Sequence, residues 1–344
     1  MTPLAAEWNR VPGYLNAATM GLPPLRVVTA MEEHLGRWKA GECQAGAFDD
    51  DVRRARCAFG RLVGTIPDRV AIGAQVSALV GLVASSLPAH SRVVVPEDDF
   101  TSVVFPFLVH RDRGIVVEQV PRARLAESIH SGVDWVAFSL VQSSDGTVAD
   151  IEAIHEAATA HGARTLADLT QAAGWLPVRA DDFDVTVTGA YKWLCAPRGS
   201  AFMTLAPDLI DEIRPLSAGW YAGEEIWSSI YGPSMQLATS ARRFDISPGW
   251  PAWVGTAPAI ELFADADPAL LRSHGASLAD LVRAELGLAP RGLPVLSLED
   301  PDGSLQSRLQ DSGCAVAARA GAVRVSFHIW NDGADAHRVI NAVG

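Results

Sequence analysis

Two short apolar segments near the middle of the chain constrain the fold more than any other feature of the sequence. The first, residues 164–168, ends on the carboxylate Asp168, and the second, residues 184–190, leads into Lys192. Both segments are rich in Val, Leu and Thr, so they predict buried strands of an α/β sheet. Because ligands bind beyond the carboxyl ends of strands in such sheets, we expect the carboxylate and the lysine to meet at one edge.

Lysine is rare in this chain, which suggests that Lys192 has a chemical role. The sequence has 28 basic residues, of which only Lys39 and Lys192 are lysines. Arginine stays charged, whereas a partly desolvated lysine can lose its proton and attack a carbonyl. A lysine and a carboxylate are also the two groups that a pyridoxal phosphate enzyme needs, for the Schiff base and for the protonated ring nitrogen. The alternative is a structural lysine whose stem packs against the neighbouring Tyr191 and Trp193.

The motifs around these two residues resemble those of the class V aminotransferase family. Residues 168–171 (DLTQ) are similar to the family's D-x-x-Q, and residues 191–199 (YKWLCAPRG) are similar to its [HY]-K-W-L-x-x-P-x-G. The family comprises fold-type I pyridoxal phosphate enzymes and includes cysteine desulfurases, kynureninase and isopenicillin N epimerase. The resemblance implies an α/β fold. A large domain would hold a mostly parallel seven-stranded sheet between helices, followed by a small C-terminal α/β domain.

Length and composition fit this architecture. The chain has 344 residues, 49% hydrophobic and 20% charged, which indicates a globular protein large enough for two domains. From about Trp253 the pattern becomes an alternation of helices and strands. We therefore expect an N-terminal arm over residues 1–25, a large cofactor-binding domain over residues 26–252 and a small domain over residues 253–344.

Charge and cysteine usage exclude several classes of partner. The formal net charge of −12 disfavours nucleic acid and anionic membranes as partners. The four cysteines are scattered without metal-ligand spacing, which predicts no metal site and reduced thiols of a cytoplasmic protein. No apolar run reaches the length of a membrane span, and the first residues lack the apolar core of a signal peptide.

A strand followed by a small-residue turn and an apolar helix begins at residue 70. Backbone N–H groups at such a turn, together with the helix dipole, can bind phosphate. The resemblance places the cofactor phosphate here, with Ala74 and Gln75 where hydroxyl side chains are usual. It also implies that Phe100 stacks on the pyridine ring, at a position where relatives often carry histidine.

The resemblance assigns four further side chains to the cofactor. Gln171 is expected near the ring oxygen, and Gln142 is expected there as well, with Ser143 as the alternative. Thr188 is the candidate hydroxyl for the phosphate. Ser247 lies in a loop that, in family dimers, reaches the phosphate of the neighbouring subunit. The resemblance therefore also implies a homodimer with shared active sites.

Arg324 lies among apolar neighbours in a predicted strand, residues 323–328. A buried arginine needs an anion, and its planar guanidinium suits a carboxylate. The resemblance assigns Arg324 to the α-carboxylate of an amino-acid substrate, and the alternative is a structural salt bridge. Asn16 and Ala17 belong to a segment similar to the family's Y-L-N-x-A, whose backbone lines the substrate side of the cofactor.

These residues predict chemistry at Cα of an amino acid, with a Schiff base at Lys192 and ring electronics set by Asp168. Transamination is the leading reaction, and C–S β-elimination, epimerisation and a catalytically inactive homologue are the alternatives. Cysteine desulfurases place a nucleophilic cysteine on a loop before the arginine strand. Residues 318–322 of this chain contain none, which disfavours that activity.

Overall fold

A computed structural model describes residues 3–344 of the protein. The strands of the larger sheet are β1 Val70–Gly73, β2 Arg92–Pro96, β3 Val116–Val120, β4 Trp135–Ser139, β5 Arg164–Asp168, β6 Val185–Gly189 and β7 Ala201–Leu205. Within the described range these seven strands lie in the order β1-β7-β6-β5-β4-β2-β3. β7 runs antiparallel to both of its neighbours, and the other pairs are parallel. The predicted fold, with its mostly parallel seven-stranded sheet, is confirmed.

Helices cover both faces of this sheet. The helices are α1 Leu25–Lys39, α2 Phe48–Val63, α3 Val76–Ser86, α4 Thr101–Leu108, α5 Ile151–His161, α6 Leu209–Glu212, α7 Trp250–Ala264, α8 Pro268–Glu285, α9 Ser304–Asp311 and α10 Gly333–Val343. Because successive strand residues face opposite sides, Phe138 packs in the core under α2, α5 and α7, while Ala137 packs in the core under α3 and α4. No helix within residues 3–344 is both long and apolar enough to span a bilayer.

A smaller sheet follows towards the C-terminus. Its three strands in the described part of the chain are β8 Val295–Glu299, β9 Ala317–Arg319 and β10 Ala322–Ser326, paired antiparallel in the order β8-β10-β9. Helices α8 and α10 pack against each other beside it. Helix α7 crosses the predicted boundary at residues 252 and 253 and packs against α1 and α2. The bounds of the domains therefore stay a prediction.

The N-terminal arm connects the small sheet to the loop that carries Lys192. Asn16 forms a parallel bridge with Ser326 of β10. Further along, the Gly21 N–H donates to the carbonyl of Tyr191 at 3.0 Å. A Cβ at Gly21 would lie 2.1 Å from the carbonyl oxygen of Lys192, so the backbone of the arm lies directly against that loop.

Gly21→Ala should therefore destabilise the protein. The added methyl would also lie 2.7 Å from Cys195 Sγ, and overpacking of this kind costs about 1–3 kcal/mol in free energy of unfolding. Gly36→Ala is the matched control, because nothing lies within 4 Å of a Cβ there. In an exposed helix interior that change should stabilise by about 0.5–1 kcal/mol. Urea titration of both variants checks this, and equal effects would contradict the close packing at Gly21.

Candidate active site

The structure brings Asp168 and Lys192 into one cavity at the carboxyl edge of β5 and β6. Asp168 is the last residue of β5, and Lys192 follows the end of β6 by three residues. The cavity is lined by Ala74, Gln75, Val76, Ser77, Phe100, Ser102, Ser139, Val141, Ser143, Asp168, Thr170, Gln171, Gly189, Tyr191, Lys192, Arg198 and Ser200. This is the edge at which the sequence predicted a ligand site.

Asp168 is a buried carboxylate with an unusual proton affinity. Its Oδ1 accepts a hydrogen bond from the Thr170 N–H at 2.8 Å. Burial raises the pKa of Asp168 to about 6, although the Thr170 hydrogen bond and the charge of Lys192 act in the opposite direction. Asp168 is therefore a basic carboxylate, suited to hold a proton on a nitrogen placed against it.

Lys192 is buried between two aromatic rings. Its Nζ lies 5.1 Å from the ring centre of Phe100 and 5.9 Å from that of Tyr191. Burial lowers the pKa of Lys192 to about 8, and the attraction of Asp168 only partly offsets this. The amine forms no ion pair among the residues that the structure describes. A substantial share of Lys192 is thus neutral near physiological pH, which nucleophilic attack on a carbonyl requires.

Buried side chains hold the loop after Lys192 in place. The His328 Nε2–H donates to the carbonyl of Trp193 at 3.1 Å, and its Nδ1 accepts from the Ile329 N–H at 2.8 Å. Burial lowers the pKa of His328 to about 3, so this ring stays neutral and keeps that donor pattern. The ring stacks on Trp330 at 4.1 Å. His328 therefore supports the loop.

The two predicted glutamines have different positions. Gln171 lines the cavity, but its Oε1 accepts from Trp193 Nε1 at 2.7 Å and its Nε2 donates to the Ala18 carbonyl at 2.9 Å. One N–H of its amide is left for a ligand. Gln142 lies outside the cavity lining, and its Oε1 accepts from the N–H of Ser143 at 2.7 Å. The structure therefore brings Ser143, the alternative left open by the sequence, to the cavity wall.

One end of the cavity has the properties of an anion site. Ala74 and Gln75 lead directly into α3, and the first residues of that helix, Val76 and Ser77, line the cavity. No side chain caps the helix, and its first turn contains no acidic residue. Backbone N–H groups and the positive end of the helix dipole are thus available to a phosphate.

Arg198 also lies at this end, although the sequence did not single it out as a site residue. Gly73 pairs with Ala201 in the ladder between β1 and β7, which places the segment before β7 beside Ala74. The Arg198 guanidinium lies 5.1 Å from the ring centre of Tyr191. It forms no ion pair within the described part of the chain. The sequence signal for Arg198 was its position in the motif at residues 197–199 (PRG).

Thr188 and Ser247 are not part of this cavity. Thr188 is fully buried within β6, and its hydroxyl has no partner among the described residues. Gly189, the next residue, lines the cavity, and successive strand residues face opposite sides of the sheet. Thr188 therefore lies outside the lining of this cavity, and its role at the phosphate stays a prediction. Ser247 lines a neighbouring pocket that shares Ala74 and Arg198 with the cavity.

Arg324 is 1% exposed, yet it has no carboxylate partner among the described residues. Its guanidinium donates to the carbonyl of Ser143 and to Thr19 Oγ1, the latter at 2.7 Å, and its Nε has no partner. Burial lowers the pKa of Arg324 to about 10, and repulsion from Arg319 acts in the same direction. The salt bridge considered from the sequence is therefore absent from the described structure, and a ligand carboxylate would fit this guanidinium.

The predicted arm residues lie beside the small sheet. The Asn16 Oδ1 is buried without a hydrogen-bond partner, and Ala17 is fully buried. The next residue, Ala18, donates its N–H to Ser326 Oγ at 3.0 Å. Thr19, which the sequence did not single out, is the member of this segment that contacts Arg324.

Known proteins are similar to this chain in sequence and in fold. The family model Aminotransferase class-V matches residues 75–297. The uncharacterized aminotransferase YcbU of Bacillus subtilis (strain 168) is 28% identical over 84% of this chain and 82% of its own. Isopenicillin N epimerase of Streptomyces clavuligerus is 28% identical over 78% of this chain and 73% of its own. The solved cystine C–S lyase C-DES superposes with a TM-score of 0.86 at 17% identity, over 96% of both chains, which shows the fold alone.

Pyridoxal phosphate is the cofactor of proteins of this kind, and the cavity fits it. Lys192 supplies a buried amine of lowered pKa, and Asp168 supplies a carboxylate of raised pKa. The uncapped start of α3 supplies donors for a phosphate. Each group of the cofactor thus finds the residue type that its chemistry requires.

Arg198→Gln should weaken binding of pyridoxal phosphate without weakening binding of pyridoxal, which lacks the phosphate. Because Arg198 is exposed, we expect the lower end of a charged hydrogen bond, about 1.5 kcal/mol or roughly tenfold in Kd. Absorbance titration of the cofactor-free protein with both aldehydes measures this. Arg179→Gln, at an arginine whose side chain is 74% exposed, is the control and should change neither Kd. Equal weakening of both aldehydes would contradict a role at the phosphate.

Proposed function

Because the chain belongs to the class V aminotransferase family, we propose that it is a pyridoxal phosphate enzyme that transaminates an amino-acid substrate at Cα. The observation that carries the proposal is the shared cavity of Lys192 and Asp168. Burial lowers the pKa of Lys192 and raises that of Asp168, and it also excludes water from both side chains.

When bound, pyridoxal phosphate takes up the electron pair left by a broken bond at Cα. Lys192 provides the amine that carries the cofactor. With a pKa near 8, the same Nζ can also take a proton from Cα and return it elsewhere. Asp168, held by the Thr170 N–H, would keep the ring nitrogen of the cofactor protonated.

Arg324 orients the substrate in this proposal. Its guanidinium is fixed by the Ser143 carbonyl and the Thr19 hydroxyl, so little conformational entropy is lost when a carboxylate binds. Asn16 and Ala17 belong to the same arm segment as Thr19, and Asn16 pairs with Ser326 of the small sheet. The charge of Arg324 contributes to the lowered pKa of Lys192, so a substrate carboxylate on Arg324 would lie near the amine.

The proton-transfer groups of the cavity favour transamination over epimerisation. Transamination needs one base that moves a proton between two atoms on one face, whereas epimerisation also needs a proton donor on the opposite face. Phe100 lines the cavity where relatives often carry histidine, so no imidazole is available there. The similarity to YcbU supports the same choice. Epimerisation remains the second candidate, because isopenicillin N epimerase is 28% identical over 78% of the chain.

Desulfurase chemistry lacks its nucleophile in this chain. The turn between β9 and β10 contains no cysteine. Cys195 and Cys314 are buried, and burial raises the pKa of both thiols, which disfavours the reactive thiolate. The elimination of other leaving groups needs no such thiol. An assay of the products distinguishes elimination from transamination.

The two lysines of the chain make the central test sharp. The wild-type protein should be yellow, and borohydride should fix pyridoxal phosphate to the peptide that contains Lys192. Lys192→Ala should lose both the absorbance band and the label, because the other lysine, Lys39, lies at the end of α1. Lys39→Ala is the matched control and should keep both. A label on Lys39, found by mass spectrometry, would remove the proposal.

A second arm of the same experiment assigns the reaction. Asp168→Asn should still take the label at Lys192 but slow Cα deprotonation by orders of magnitude, since an amide cannot keep the ring nitrogen protonated. A panel of amino acids is then assayed for oxo acid, ammonia, sulfide and inverted amino acid. Oxo acid without ammonia is the expected result. Ammonia would indicate elimination, and inverted amino acid would indicate epimerisation.

We also propose that the protein is a two-fold homodimer with its active sites near the interface. Residues 226–235 expose a cluster of apolar side chains, with Tyr231 92% and Met235 78% exposed. Such patches are characteristic of protein interfaces. The pocket that contains Ser247 shares Ala74 and Arg198 with the active-site cavity, at the end where we expect the cofactor phosphate.

Light scattering at micromolar concentration should give about twice the 36.6 kDa mass of the chain. Tyr231→Arg should lower that mass at the same concentration, because the charge would be buried at the interface. A wild-type protein that is monomeric and fully active would contradict this proposal.

A further inference from the structure

Two arginines share one face of the small sheet. In the antiparallel pairing of β9 with β10, Arg319 lies opposite Ala322 and Arg324 lies opposite Ala317. Directly opposite residues, and residues two apart on one strand, project to the same side. Arg319 and Arg324 are therefore diagonal neighbours on that side, at about 7–8 Å for such pairs.

A tight turn fixes the position of Arg319. The two residues that follow it, Ala320 and Gly321, have φ angles of 49° and 75°. Two consecutive positive φ values are characteristic of the short turns that match the twist of paired strands. The Gly321 carbonyl also accepts a hydrogen bond from the Asp300 N–H at 2.9 Å. The hairpin tip is thus anchored.

Glu299 of β8 also lies opposite Ala322 and projects to this side, but it forms no ion pair with either arginine in the described part of the chain. Arg319 forms no ion pair there and donates only to the carbonyl of Ala318, at 2.6 Å. Its repulsion contributes to the lowered pKa of both Arg324 and Lys192, which shows that the three cations act on one another. This excess of positive charge is local, because the chain as a whole carries −12.

The buried carboxylates Asp168, which lines the cavity, and Asp99, which acts on Asp168, do not neutralise this face. Asp168 accepts from the Thr170 N–H. Asp99 is buried and accepts from the N–H groups of Phe100 and Ser139, at 2.6 and 2.7 Å. Both acids are thus already held by backbone donors. The guanidinium groups of Arg319 and Arg324 are therefore available to an anionic ligand.

We propose that Arg319 binds a second acidic group of the substrate, and that the enzyme acts on amino acids and oxo acids with an acidic side chain. The inference rests on the proposed function and specifies its substrate class. The α-carboxylate binds the buried Arg324, and the side-chain carboxylate binds Arg319, which is exposed at the hairpin. The backbone positions of the two arginines are diagonal neighbours, about 7–8 Å apart, a separation that a short dicarboxylate can bridge.

The test compares each acidic amino acid with its neutral amide. The wild-type enzyme should have a higher kcat/KM for glutamate or aspartate than for glutamine or asparagine. Arg319→Gln should lower kcat/KM for the acid at least about tenfold more than for the amide, which is the effect of one charged hydrogen bond. Arg324→Gln should lower kcat/KM for acids and amides alike. Arg272→Gln, at an exposed arginine on α8, is the control and should change neither.

A binding measurement gives a readout that does not depend on turnover. Glutarate has two carboxylates and no amino group, and butyrate has one carboxylate. Titration of the cofactor-loaded enzyme should show tighter binding of glutarate in the wild type, and Arg319→Gln should abolish that preference. Equal kcat/KM for acids and amides in the wild type, or equal losses in Arg319→Gln, would overturn the inference alone. A protein without cofactor on Lys192 would overturn the proposed function as well.

Discussion

The burial of one amine determines how the rest of the site is built. Lys192 forms no ion pair in the part of the chain that the structure describes, and burial outweighs the attraction of Asp168 in setting its pKa. Such a group keeps its lowered pKa only while water is excluded, so its loop must not open. The loop is accordingly held from two sides, by the neutral His328 and by the backbone at Gly21.

The small sheet repeats this arrangement with a different cation. Arg324 is buried against two neutral acceptors, one from the large sheet's side, Ser143, and one from the N-terminal arm, Thr19. A buried charge without a counterion lowers the stability of the protein, and the surrounding packing has to offset that loss. The arm therefore supports both cations, since it also lies against the carbonyl of Lys192.

The sequence predicted the parts of the site that depend on local pattern. Asp168 and Lys192 follow two buried strands, and strands that are neighbours in the sheet end at the same edge. The positions that the local pattern does not determine depend on long-range register. Thr188, a predicted phosphate ligand, lies outside the cavity lining, although its neighbour Gly189 is part of it. Arg198 belongs to a short motif, but it reaches the cavity through the pairing of β1 with β7, in which Gly73 and Ala201 are partners 128 residues apart.

The near absence of lysine has a consequence for chemoselectivity. An aldehyde condenses with any uncharged amine that it meets, and on most proteins dozens of surface amines compete for it. Here the competing side chain is Lys39 alone, exposed where α1 ends, while 26 arginines supply the remaining positive charge without forming adducts. The side chains on the surface of this protein thus react little with the aldehyde that Lys192 binds, so excess aldehyde forms few adducts elsewhere.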